Sequence, residues 1–76
     1  MSDKLPPLKT EEVLRILLQI GFQAKRKKGS HLILAKGAKR VIIPIHEGRD
    51  LPKGTLRNII KQSGLTKKEF LNYLNK

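Results

Sequence analysis

The stretch FQAKRKKGSHLILAKGAKRVIIPIH, residues 22–46, decides how this chain is read. Three β-candidate runs, Phe22 to Arg26, Ser30 to Ala35 and Arg40 to Ile45, are separated by segments holding Gly29 and Gly37, the residues that punctuate tight turns. A three-residue loop, Lys27-Lys28-Gly29 with glycine in the left-handed position, predicts Arg26 opposite Ser30. Lys25 then faces His31, Ala24 faces Leu32 and Phe22 faces Leu34. A four-residue loop from Lys36 to Lys39 predicts Ala35 opposite Arg40, Leu34 opposite Val41 and Leu32 opposite Ile43. One face collects Phe22, Ala24, Leu32, Leu34, Val41, Ile43 and Ile45, which is a core. The other collects Gln23, Lys25, His31, Ile33, Ile42, Pro44 and His46. A slip of one residue in either hairpin mixes the two sets, so their separation argues for this register.

Helices are expected on both sides of the strands. Residues 1–9, with Pro6-Pro7, read as an extended lead-in. Thr10 is a good N-cap, and Glu11 and Glu12 place negative charge where the helix dipole favours it. Val13, Ile16, Leu17 and Ile20 recur at helical spacing, and Gly21 supplies the stop. After the strands, a turn is expected at Glu47-Gly48-Arg49, and Pro52 suits the first turn of a second helix. Leu56, Ile59 and Ile60 form its apolar stripe and Gly64 ends it. Thr66 and Glu69 form a capping box for a third helix, with Leu65 and Phe70 at staple positions. Phe70, Leu71 and Leu74 are placed to close over the core. The predicted order is α-β-β-β-α-α, an α+β fold with a three-stranded antiparallel sheet, forming one domain over residues 1–76.

Composition narrows what such a domain does. The chain has 76 residues and a formal net charge of +11. A domain this small buries only about 60% of its unfolded surface and has no room for a deep pocket, so any chemistry takes place on an open surface. There is no cysteine, which excludes disulfides, thiolate zinc sites and a Cys nucleophile. Two histidines are too few for an ordinary metal cage, and no metal or other cofactor is expected. No apolar run approaches a membrane span of about 20 residues, and no secretory leader is evident. A soluble, cytoplasmic protein is expected. The charge is concentrated: residues 21–40 carry Lys25, Arg26, Lys27, Lys28, Lys36, Lys39 and Arg40 with no acid, and residues 53–68 add Lys53, Arg57, Lys61, Lys67 and Lys68. The partner is anionic.

His31 is the first candidate for chemistry. It follows Gly29-Ser30 directly and falls on the open, basic face. An imidazole with an ordinary pKa of about 6.5 is suited to proton transfer near neutrality. Neighbouring cations stabilise charge that builds on a phosphate during in-line transfer. A histidine among cations is what metal-free RNA cleavage requires; the plainer reading is an exposed strand residue. His46 lies on the same face and is read either as a second acid/base partner, as a substrate contact, or as a strand end bonding a turn carbonyl. Lys53-Gly54-Thr55 opens the second helix, where free N–H groups bind phosphate and Gly54 permits close approach, with Arg57 nearby. Ordinary helix initiation accounts for the same residues.

Taken together, Gly29-Ser30-His31-Leu32, Val41-Ile42-Ile43-Pro44-Ile45-His46, Lys53-Gly54-Thr55-Leu56-Arg57-Asn58-Ile59-Ile60 and Ser63-Gly64-Leu65 resemble the HicA toxin family in order and spacing. The resemblance runs from the first helix almost to the C-terminus. It implies a fold like the double-stranded-RNA-binding domain, ribosome-independent cleavage of mRNA, and neutralisation by a HicB-type antitoxin. It also implies that His31 is the catalytic residue and that Gly29 shapes the turn presenting it. The third helix extends beyond the minimal double-stranded-RNA-binding order.

On this reading Lys25, Arg26, Lys27, Lys28 and Arg40 bind backbone phosphate, which gives affinity without sequence reading. Gly29, Ser30, Lys39 and His46 belong to the same expected RNA surface, and Lys53, Gly54 and Arg57 form a second part of it. The expected partners are mRNA and an acidic antitoxin. Two rivals remain at this level: a non-catalytic RNA-binding module of the same fold, and an interaction protein whose only ligand is acidic. Ile33 and Ile42 on the open face suit a protein partner that covers the site.

Overall fold

Among the described residues six elements follow one another: α1 (Thr10–Gln19), β1 (Gln23–Lys28), β2 (His31–Lys36), β3 (Lys39–Pro44), α2 (Lys53–Ser63) and α3 (Lys67–Leu74). The computed structural model describes residues 5–46 and 48–74. Residues 1–4 of the expected lead-in and Glu47 of the expected turn lie outside them. The three strands form one antiparallel sheet in the order β1-β2-β3, and the helices pack on one of its faces, giving the expected α+β, double-stranded-RNA-binding-like layout.

The β2–β3 register is as expected. Leu32 pairs with Ile43, Leu34 with Val41 and Ala35 with Arg40. The ladder runs one pair further, to Lys36 opposite Lys39, so the loop is the two-residue Gly37-Ala38. The β1–β2 register is different. Lys28, rather than Lys25, stands opposite His31, followed by Lys27 opposite Leu32 and Arg26 opposite Ile33. The loop here too has two residues, Gly29-Ser30. A two-residue turn with glycine first matches the natural strand twist, and Gly29 and Gly37 adopt it with φ of 59° and 60°. A bulge at Lys25 then moves the register by one, and Ala24 comes to lie opposite Leu34.

The core is one cluster. Val13, Ile16 and Leu17 of α1, Phe22, Leu34, Val41 and Ile43 of the sheet, Leu56, Ile59 and Ile60 of α2 and Phe70 of α3 are all buried. Leu5, Leu8 and Leu51 join them, which the extended lead-in gave no reason to expect. The Leu51 amide donates to the Leu8 carbonyl at 2.8 Å, and Lys9 bridges to Asp50 with an ion pair of 3.6 Å. Ala24 sits on the expected face and is nevertheless exposed, beyond the cover of the helices.

Helix ends show one correction and one agreement. Lys9, not Thr10, is the N-cap of α1, and its amide donates to Glu12 Oε1 at 2.8 Å. Thr10 is the first helical residue and spends its hydroxyl on the sheet instead. At α3 the capping box forms as expected: the Thr66 amide donates to Glu69 Oε1 at 2.9 Å and the Glu69 amide to Thr66 Oγ1 at 3.1 Å.

Candidate functional site on the open face of the sheet

Residues paired across strands share a face, so the register places the paired candidates. His31, Ile33 and Ala35 of β2 are flanked by Lys28, Arg26 and Gln23 of β1 and by Pro44, Ile42 and Arg40 of β3. Among the described residues no helix covers this face. His31 is exposed at the start of the central strand, with Lys28 directly opposite on one side and Pro44 on the other. Directly opposed Cβ atoms lie about 5 Å apart, which brings the Lys28 ammonium within reach of an anion bound at the imidazole.

The expected neighbour, Lys25, is elsewhere. As the extra residue of the bulge it shares the far end of the open face with Arg26 and Arg40, where the three line a shallow cleft of about 330 Å³ floored by Ile33 and Ala35. Its ammonium donates to Gln23 Oε1 at 3.1 Å.

Two other lysines of the basic block leave from the helix side of the sheet. Lys36 and Lys39 oppose each other in line with Leu34 and Val41. The Lys36 ammonium donates to the Ile20 carbonyl at the end of α1, at 2.6 Å. The Lys39 ammonium lies against Gly64, the C-cap of α2, 2.7 Å from where a Cβ there would stand. Each cation meets the negative end of a helix dipole. Lys27, paired with Leu32, also leaves from the helix side. The density of charge in residues 21–40 therefore divides between a ligand-accessible face and a fold-locking role.

His46 is half-buried just beyond β3. The Ile45 amide donates to the Ser30 carbonyl at 2.7 Å, which lays this strand end beside the Gly29-Ser30 turn. The hydroxyl of Thr10, a residue only 9% exposed, donates to the Pro44 carbonyl at 3.2 Å and accepts from the His46 amide at 3.3 Å. One buried hydroxyl thus ties the first turn of α1 to the segment holding His46. Nothing in the local pattern distinguishes this use of Thr10 from the N-cap it resembles.

The second expected patch is separate from the sheet face. The N-terminus of α2 has no side-chain cap, and the space above Gly54 is open. Arg57 lines a cleft with Ile60, Lys61, Leu65 and Lys67, a grouping of cations from α2 and α3 that the linear charge count alone did not resolve. Among the described residues no three His, Asp or Glu side chains cluster to hold a metal ion, and no helix is long and apolar enough to cross a membrane.

Comparison with known proteins adds to this geometry. Residues 10–65 match the family described as the HicA toxin of bacterial toxin-antitoxin systems. A solved structure described as a toxin-antitoxin complex from Streptococcus pneumoniae contains a chain that is 33% identical over 78% of this chain and 100% of that one, with a TM-score of 0.67. No match is found among curated proteins.

Proposed function

The chain belongs to the HicA toxin family, and from that premise we propose that it is an endoribonuclease that cuts mRNA in the cytoplasm without the ribosome, with His31 as its general acid/base. The observation that carries this reading is the position of His31: an exposed imidazole on the helix-free face of the sheet, with Lys28 directly opposite.

The chemistry follows from that pairing. His31 takes the proton of a ribose 2′-hydroxyl, and the oxygen attacks the adjacent phosphorus. Negative charge gathers on the phosphorane, where Lys28 stabilises it. The bond to the 5′-oxygen breaks and that oxygen receives a proton. The products are a 2′,3′-cyclic phosphate and a 5′-hydroxyl, and no metal ion is needed. His46 stands at the same end of the sheet as either the proton donor or a substrate contact. His46→Ala separates the two: loss of a donor lowers kcat, and loss of a contact raises KM.

The relative's structure is a complex with an antitoxin, and an acidic HicB-type partner suits this chain as well. Ile42 is 43% exposed and pairs with half-buried Ile33 beside His31, an apolar strip within a basic face. A partner that covers it silences the site by steric exclusion. Such a partner is expected to co-purify with the chain and block cleavage.

The test is the chemistry of the ends. Purified protein incubated with an mRNA in excess chelator should yield fragments ending in 2′,3′-cyclic phosphate and 5′-hydroxyl. Intact RNA, cleavage that needs added Mg²⁺, or 3′-hydroxyl ends would contradict the proposal.

A further inference from the structure

We propose that the far end of the open face, where Arg26 and Arg40 stand astride β2, is a subsite for single-stranded RNA upstream or downstream of the bond cut at His31. The inference rests on the catalytic reading of His31 and adds a second anchoring point to it.

Three observations carry it. Arg26 on β1 is opposite Ile33, and Arg40 on β3 is opposite Ala35, so the guanidinium groups approach the central strand from both sides. Together with Lys25 they bound the 330 Å³ cleft, a volume at the low end of small-ligand sites, about 300–1,000 Å³. The bulge brings this about. Without the extra residue at position 25, Lys25 and Arg26 would project from opposite faces.

The cations are also uncommitted. Among the described residues the ion pair formed is Lys9 with Asp50, and neither Arg26 nor Arg40 has an acidic or hydrogen-bonding partner. Uncommitted guanidiniums over an apolar floor match a nucleotide well. The planar fork binds phosphate oxygens in pairs or stacks on a base, and Ile33 and Ala35 give the ribose and base an apolar surface.

The spacing completes the argument. Ile33 and Ala35 are two and four residues along β2 from His31, which is about 7 and 13 Å of strand. A single strand carries a charge about every 3.4 Å when stacked and at longer intervals when extended. One chain of a few nucleotides therefore spans from the imidazole to the arginine pair along β2. An acidic protein segment would be held by the same charges, and binding of an RNA probe is what separates the two.

Binding of an uncuttable probe tests the proposal independently of catalysis. A 2′-O-methyl octanucleotide spans both ends of the face, and a 2′-O-methyl dinucleoside monophosphate reaches only one. In the full chain, Arg26→Ala with Arg40→Ala should lower octanucleotide affinity by at least about tenfold at low salt and reduce the slope of log K against log salt by about 0.7 per arginine. The short probe should lose much less, so the advantage of length collapses. Arg26→Lys with Arg40→Lys should keep the slope and recover part of the affinity. The charge-matched pair Arg15→Ala with Lys68→Ala, both exposed and on other elements, should preserve the advantage of length. The proposal is overturned if both alanine pairs weaken the two probes alike, since long-range charge then explains everything. It is also overturned if the arginine pair leaves RNA binding intact and weakens only the antitoxin complex. A lost length advantage alongside continued cleavage by His31→Ala would uphold the subsite and reject the catalytic assignment. An intact length advantage alongside a silent His31→Ala would do the opposite.

Discussion

The two hairpins use the same turn and are held by different forces. Both close through two residues with glycine first, at φ of 59° and 60°. In β2–β3, Leu34, Val41 and Ile43 are fully buried under the helices, and Lys36 and Lys39 reach back to the ends of α1 and α2. In β1–β2, every residue of β1 is exposed, and what holds the strand is its ladder of backbone bonds. One hairpin is bound into the fold on its inner side. The other carries its weight outward, and that is where His31, Lys28, Arg26 and the bulge lie. An edge strand without buried side chains is free to spend its residues on a ligand, and its lysines and arginines also discourage pairing with other strands.

This contrast has measurable consequences. Ile43→Ala should cost about 2–5 kcal/mol, a large share of the roughly 4–11 kcal/mol typical for 76 residues, read as a lower urea midpoint at constant slope. Gly29→Ala and Gly37→Ala should each cost about 1–2 kcal/mol, because both place a Cβ on a left-handed backbone with open space around it. Equal thermal shifts are expected, and only the Gly29 variant should also slow RNA cleavage, since only it abuts His31. Lys36→Met should cost about 0.3–1 kcal/mol through the lost contact with the end of α1, with the difference shrinking as salt is added. Lys27→Ala should lie within about 0.5 kcal/mol of the parent. A β1 substitution as costly as Ile43→Ala would break the comparison.

The same contrast explains what the sequence alone made legible. In β2 and β3, Leu32, Leu34, Val41 and Ile43 alternate with residues of the open face, and only one register turns them all toward the helices, burying Leu34, Val41 and Ile43 and half-burying Leu32. His31 could therefore be placed on the open face from β2 alone. QAKRKK in β1 has no alternation to constrain it, so its register follows from turn length and bulge, and Lys28 took the place expected of Lys25. The family resemblance held because its motifs lie outside β1. Lys36 and Lys39 counted as part of a basic surface because they were expected in a loop and flexible stems hide where an ammonium ends up; the longer ladder gives them the parity of Leu34 and Val41 and turns them to the helix side. Leu5, Leu8 and Leu51 lack periodicity, and only tertiary contact buries them.

The central claim is that the charged hairpin performs chemistry and the apolar one keeps it in place. Its most direct test is cleavage of an mRNA by His31→Ala, measured beside its thermal midpoint and RNA affinity. The account predicts a loss of about 10²–10⁴-fold in rate with midpoint and affinity close to the parent's. Cleavage at the parental rate by a folded His31→Ala protein would contradict it.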